Sequence, residues 1–303
     1  MSGVGKEKTQ IQSVEKKGTL AEGVKDFFKI IWRNKMSRVG LIIVSAFILI
    51  AIFGPIFVSA PKSDFLIRLK PPSAAHWLGT DYAGRDIFAM FINGTRTVLM
   101  VALYAGIFAI VIACAVGITS GLLGGKVDAV LMMITDIVLT MPQFPVIMVL
   151  SMVINVSNNL LFGLVLGIWS WAALAKAIRT QVLTLKDKDF IEASRIMGLP
   201  NIDIITKDIL PNIVSFVAIN FISIMRGAIL SSVNLMVLGL VPIDGTHWGM
   251  MLQMAISQTS LLYGGLQPIV NFMTPVMGIL LFQLGCYLFA MGLDEAMNPR
   301  LRR

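Results

Sequence analysis

Thr97–Gly125 reads TVLMVALYAGIFAIVIACAVGITSGLLGG, a run without a single Lys, Arg, Asp or Glu. About 20 apolar residues at helical rise cross the hydrocarbon core of a bilayer, so this stretch alone is long enough to span a membrane. It has company: Val39–Pro61, Ile137–Ala175, Ile209–Met225, Gly227–Ile243 and Gly245–Leu293 are equally free of charge. Over all 303 residues the chain is 56% hydrophobic and 14% charged, with a mean hydropathy of +0.81. Soluble proteins carry about a quarter charged residues. A soluble globular enzyme is therefore excluded, and the fold class expected is an all-α polytopic membrane protein.

Splitting these stretches where Pro, Gly and Asn cluster gives six expected spans, near Val39–Val58, Val98–Leu122, Ala129–Ile154, Leu160–Ala177, Ile213–Leu240 and Phe272–Gly292. The first run is too long for a signal-peptide core and lacks a small-residue cleavage site, so it reads as a retained anchor. Lys and Arg then set the orientation. Nineteen of the 25 lie in residues 1–38, Gly124–Asp128, Lys176–Asn212 and the final residues, against five between Ser59 and Thr97; the last is Arg226, inside a span. The resulting organisation is a cytoplasmic tail over 1–38, a first span over 39–58, an extracytoplasmic loop over 59–97, a five-helix core over 98–293 and a cytoplasmic tail over 294–303. Residues 27–32, Phe-Phe-Lys-Ile-Ile-Trp, form an amphipathic stretch suited to the inner leaflet of the lipid bilayer. The net charge of +8 follows this topology and forms no aromatic-interleaved patch, so nucleic acid is not an expected partner. Cys114 and Cys286 both lie in apolar runs, which excludes a disulfide framework and a thiolate metal cluster.

The inside loop Lys176–Asn212 has a helical pattern of its own. In Lys188–Met197, Lys188 with Glu192 and Glu192 with Arg195 are spaced for side-chain pairs, while Phe190, Ile191, Ser194 and Met197 gather on a greasier side. Gly198 stands where a helix ends in a left-handed turn, Pro200 follows, and a second short helix carrying Ile202, Ile205 and Ile209 leads to Pro211 at the start of the fifth span. On spacing alone Glu192 and Arg195 make a solvated helix face.

Glu192-Ala193-Ser194, Gly198 and Ile209-Leu210-Pro211-Asn212 resemble the EAA loop of permease subunits of ABC importers. The resemblance implies a coupling helix, carried by Asp189, Phe190, Glu192, Ala193, Ser194, Arg195, Gly198 and Leu199, that docks on a separate ATPase subunit. His76-Trp77-Leu78-Gly79-Thr80-Asp81, Gly84-Arg85-Asp86, Gly94-Thr95-Arg96, Leu238-Gly239-Leu240, Trp248-Gly249-Met250-Met251-Leu252 and Asn298-Pro299-Arg300-Leu301-Arg302 are similar to C-type permeases of the dipeptide, oligopeptide and nickel importers. That resemblance implies a type I importer permease in the cytoplasmic membrane, with a second homologous permease, one or two ABC ATPases and an extracytoplasmic solute-binding protein as partners. The chain itself then binds no cofactor, since ATP and Mg belong to the ATPases. Consistently, Gly121–Lys126 misses the phosphate-loop pattern, with Ser120 for its first glycine and Val127 where Ser or Thr is needed.

Asp136 and Arg226 are the ionisable residues expected within spans, where charge is costly, so they either pair with one another or touch solute. With Asn220 and Asn234 they are the candidates for lining a pathway. Pro142 and Pro145 break the third span, and Gly117-x-x-x-Gly121 and Gly163-x-x-x-Gly167 are close-packing signals. His76, Asp81, Arg85 and Asp86 lack metal-ligand spacing and read as a turn and cap. Peptides lead as the cargo of the resembled family. Ser231-Ser232, where many peptide permeases have an acid, leaves an oligosaccharide open, with nickel complexes as the other cargo. An ion-gradient transporter is the rival class, disfavoured by the absence of a clear repeat.

Overall fold

A computed structural model describes residues 32, 34–154, 156, 158–241, 245–258 and 265–297. Most of the N-terminal tail (1–31 and 33), including its amphipathic stretch apart from Trp32, and the motif at 298–302 lie outside the described residues, while the expected tail residues 35–38 already belong to α1. The helices are α1 (Lys35–Phe57), α2 (Ile87–Leu123), α3 (Gly125–Thr140), α4 (Gln143–Val153), α5 (Asn159–Lys186), α6 (Asp189–Ile196), α7 (Asn201–Val237), α8 (Trp248–Gln258) and α9 (Leu266–Met297).

Local chemistry sets the ends. The Asn34 side chain accepts from the Met36 N–H at 2.9 Å to cap α1, and Asp86 accepts from the Ala89 N–H at 2.9 Å to cap α2. That second cap starts α2 at Ile87, well before the span expected from Val98. Its early turns pass for a loop in the charge pattern because they carry Arg96, which stays exposed while Ile87, Met90 and Thr95 are buried. Met141 adopts extended backbone (φ −78°, ψ 135°) ahead of Pro142, as the residue before proline must. The chain consequently bends by 87° between α3 and α4, so the third expected span is a broken one.

Five helices are individually long and apolar enough to cross a membrane, and the bent α3–α4 pair makes the sixth candidate. The packing directions show that this pair brings the chain back. A Cβ on Gly163 would meet Tyr104 and Val101, one on Gly167 would meet Ala105 and Phe108, one on Gly117 would meet Ala175 and Ile178, and one on Gly121 would meet Val182. Forward along α2 is forward along α5, so the two run parallel, and parallel spans need a return crossing between them. Both glycine pairs thus serve a single seam, at which helix backbones approach closely. On α3, Asp128 meets Arg179 while Asp136 meets Lys176, which places α3 antiparallel to α5. Along α1 and α9, Gly40 faces Phe289, Gly285 faces Ile43 and Gly292 faces Ser37. Those two are antiparallel, so the start of α1 and the end of α9 share one face of the bundle, as six crossings require.

Three apolar clusters fill the bundle. The first joins α1, α2, α7, α8 and α9 around Phe47, Trp248 and Phe282, with Phe91 stacked on Trp248 at 5.5 Å. The second joins α2, α5, α6 and α7 through Ala109, Ile178, Val182, Ile191, Ile204 and Ile209. The third gathers around Phe162, Ile147 and Met236. Helix α8 falls in a region that the sequence reading treats as an outside loop. At eleven residues it is too short to register as a span, and its seat between α7 and α9 is a tertiary feature.

Candidate functional site

Helix α5 leaves the bundle at Lys186 and one turn later α6 begins, with Asp189 and Glu192 in its first turn and Arg195 in its last. That polarity matches the helix dipole. Ile191 and Ser194 turn inward, 0% and 6% exposed. Ile191 joins the cluster containing Ile178, Val182, Ile204 and Ile209, and the Ser194 hydroxyl donates to Asp208 Oδ2 at 2.9 Å. Asp189, Phe190, Glu192, Ala193, Arg195, Ile196 and Met197 all face outward. The greasy side is therefore split: Phe190 and Met197, grouped by spacing with Ile191 and Ser194, stand on the opposite, exposed surface. Neither Lys188 with Glu192 nor Glu192 with Arg195 is among the ion pairs of the described residues.

The loop reverses at Gly198, whose φ is +74°. The Gly198 N–H bonds Arg195 O at 2.9 Å and the Leu199 N–H bonds Ser194 O at 3.2 Å, the paired bonds of a Schellman turn. No atom lies within 4 Å of a Cβ built on Gly198, so its requirement is one of conformation and not of space. The second short helix expected after it is not separate. Asn201–Val237 is continuous, with a π-helical stretch at Ile204–Ile209 just before Pro211. A widened turn accommodates a residue with no N–H to donate, and the Asn212 side-chain amide donates to Asp208 O at 2.6 Å beside it.

Residues 113–303 match the family model for the binding-protein-dependent transport system inner membrane component. The chain belongs to that family of importer permeases. Residues 24–72 of this permease also match the N-terminal TM domain of oligopeptide transport permease C. The oligopeptide transport system permease protein OppC of Bacillus subtilis (strain 168) is 32% identical over 277 residues, covering 89% of this permease and 87% of the relative. The dipeptide transport system permease protein DppC of Alkalihalophilus pseudofirmus is 32% identical over 282 residues, covering 92% and 90%.

Within the permease, Asp136 and Arg226 do not pair with one another, the first of the two alternatives open for them. Asp136 pairs with Lys176 at 2.5 Å, both about half exposed, which sets Asp136 level with the root of the inside loop. Arg226 instead donates through Nε to Gln283 Oε1 at 2.9 Å, takes the Gln283 amide on its own carbonyl at 3.0 Å, and lies 5.7 Å over the Tyr287 ring. Asn220 donates to Phe216 O of its own helix at 2.8 Å, and Asn234 is exposed. None of these four candidates lines the cavity of about 370 Å³ beside the α3–α4 bend.

Sequence reasoning missed a clamp. Arg179 holds Asp128 through Nε at 2.6 Å and a second nitrogen at 2.5 Å, and the Ser120 hydroxyl donates to the same carboxylate. This clamp ties the ends of α2, α3 and α5 together. No local spacing announces it, because the partners are 51 residues apart. On the opposite side of the bundle, Asp86 binds His76 Nδ1 at 2.8 Å, and Asp81 pairs with Arg85 at 2.6 Å while accepting the Ala83 and Arg85 N–H groups. Gln267 of α9 donates to the carbonyls of Leu78 and Thr80 at 3.1 and 2.9 Å. These polar residues form the turn and cap expected of them, and among the described residues there is no group able to hold a metal ion.

Proposed function

We propose that this chain is one of two homologous permease subunits of an ATP-driven importer and forms half of the pathway for di- and oligopeptides delivered by an extracytoplasmic solute-binding protein. Both ends of the bundle's chain face the cytoplasm, as the concentration of Lys and Arg on that side supports. One or two separate ATPase subunits handle ATP and Mg, and α6 is the surface on which an ATPase docks. Peptide cargo is supported by the names of the relatives, an oligopeptide and a dipeptide permease protein.

The divided surface of α6 carries the reading. Its inner side is welded into the core by Ile191 and Ser194, whereas its outer side presents Phe190, Ile196 and Met197 at 43%, 80% and 69% exposure among the exposed charges of Glu192 and Arg195. An exposed apolar patch rimmed with charge suits a protein partner better than water. Because Ile191 packs with residues of α5 and α7, and close-packed interiors transmit displacement, movement of a docked ATPase shifts the roots of both helices as a body. That motion changes which side of the pathway is open.

The test uses the complex purified from its native host in mild detergent. Glu192→Arg, which reverses charge on the exposed face, is expected to abolish solute-stimulated ATP hydrolysis and ATPase recovery while the protein still inserts and folds. Gly198→Pro, which removes the φ of +74°, is expected to do the same. Normal transport by both variants would overturn the docking assignment.

A further inference from the structure

Among the described glycines, Gly227 lacks an internal reason. Most helical glycines of the bundle sit against another element, as when Gly106 meets Phe221, Gly249 meets Val233 or Gly278 meets Phe91, each within 3 Å of an added Cβ. Gly124, Gly125, Gly198 and Gly239 have positive φ. Gly227 has neither: it lies in the middle of α7 with ordinary helical backbone, and nothing comes within 4 Å of its Cβ position. Glycine in a helix interior weakens the helix, and the chain gains no packing here in return.

What Gly227 faces is a cavity of about 370 Å³. Its walls come from the α3–α4 bend, α5 and α7, with Gln143, Trp169, Ser170, Ser223, Gly227 and Ser231 set among apolar Val, Leu, Met, Ala and Ile side chains. No charged side chain lines it. The buried Trp169 Nε1 has no hydrogen-bond partner among the described residues, and the Ser170 hydroxyl donates to Leu166 O at 3.1 Å, leaving lone pairs to accept. Asn220 and Asn234 share this face of α7 by helical period, seven residues to either side of Gly227. A membrane helix that turns Ser223, Gly227 and Ser231 toward one cavity is poorly matched to lipid, where unsatisfied hydrogen-bonding groups are costly. The neighbouring cavity of about 490 Å³ between α1, α2 and α7 is lined by Ile48, Leu99, Leu103 and Phe221 with the single charge of Arg96, so its chemistry is that of hydrocarbon or an apolar helix.

We infer that the Ser223–Gly227–Ser231 face of α7, with Gln143, Trp169 and Ser170 opposite, is this subunit's wall of the solute pathway, and that Gly227 keeps it open. The wall offers hydrogen bonds and an aromatic surface but no fixed charge. It therefore takes solute through groups common to all peptides, the backbone amides, and is indifferent to side-chain charge. This deepens the permease reading and rests on it.

The test is cysteine accessibility in the reconstituted importer complex after Cys114 and Cys286 are replaced by alanine. Cysteines placed singly at Ser223, Gly227 and Ser231 are expected to react with the membrane-impermeant, charged reagent MTSET during ATP turnover. A cysteine at Val111, 61% exposed on the apolar flank of α2, is expected not to react. Gly227→Phe is expected to fold, since its Cβ meets open space, and to lose ATP-driven uptake of radiolabelled tri-alanine. Labelling at 227 no faster than at 111, or unimpaired uptake by Gly227→Phe, overturns the assignment of the wall. Absence of tri-alanine uptake by the cysteine-free parent overturns the peptide reading instead, and the labelling pattern then still decides whether this face lines an aqueous path.

Discussion

Gly163 of α5 and Gly227 of α7 are both glycines inside membrane helices, yet their surroundings are opposite. A Cβ on Gly163 would stand 2.6 Å from that of Tyr104 and 2.8 Å from the Val101 carbonyl, whereas one on Gly227 would meet nothing within 4 Å. The first glycine lets two backbones touch and makes α2 and α5 a single rigid element. The second leaves room. Scaffold and pathway are thus distinguished by what the missing side chain would have struck, and a glycine count cannot make that distinction.

The largest effect expected is at the seam. Gly117→Leu places its Cβ 2.6 Å from the Ala175 carbonyl, against backbone that cannot swing away, so the loss should exceed about 3 kcal/mol, the upper end of ordinary overpacking. Size-exclusion profiles and thermal unfolding in detergent report it; a folded, wild-type-like Gly117→Leu would break the contrast between the two helices. Next comes the clamp that fastens α3 to this scaffold. Arg179→Ala leaves Asp128, 19% exposed in its side chain, without its bidentate donor, and a loss of about 2 kcal/mol is expected for such charged hydrogen bonds. The Asp136–Lys176 pair on the same two helices is about half exposed, so Asp136→Asn should change stability by no more than about 0.5 kcal/mol. Equal losses in both variants would mean that the two pairs feel the same environment, contrary to their burial. The smallest cost, indeed a gain, is expected at Gly227→Ala. Alanine is favoured over glycine by up to about 1 kcal/mol in a helix interior, and no neighbour is displaced. A drop in melting temperature like that of Gly117→Leu would sink the claim that this face is open.

These contrasts mark how far the sequence could be read. Pro142 announced the break in the third span because proline constrains the residue before it whatever surrounds them, and Gly198 announced the reversal after α6 because only glycine adopts φ of +74° without cost. Asp86 was legible as part of a turn and cap, but not the helix it caps, because the charge of Arg96 made Ile87–Thr97 pass for a loop. In contrast, spacing put Phe190 and Met197 with Ile191, and only the docking of α6 on α5 and α7 divided them between exposed and buried surfaces. Spacing also put Ser194 on the greasy side, whereas its hydroxyl donates a hydrogen bond to Asp208, fourteen residues away. Asp136 and Arg226 looked like natural partners because both are costly in hydrocarbon, but Lys176 and Gln283 lay nearer in space.

By itself the sequence determined that this chain crosses a membrane, roughly where its helices run, and where they bend or reverse. Those are local properties, set by hydropathy, by the φ angles open to Gly and Pro, and by charges within a few residues of one another. The tertiary structure alone decided that α2 and α5 run parallel on one glycine seam, that the bent α3–α4 pair therefore returns the chain, that Asp128 is clamped by Arg179, and that Gly227 looks into a cavity. Each depends on which distant segments come into van der Waals contact, and a repeating helical pattern gives the facing angle of a residue but not the identity of what it faces.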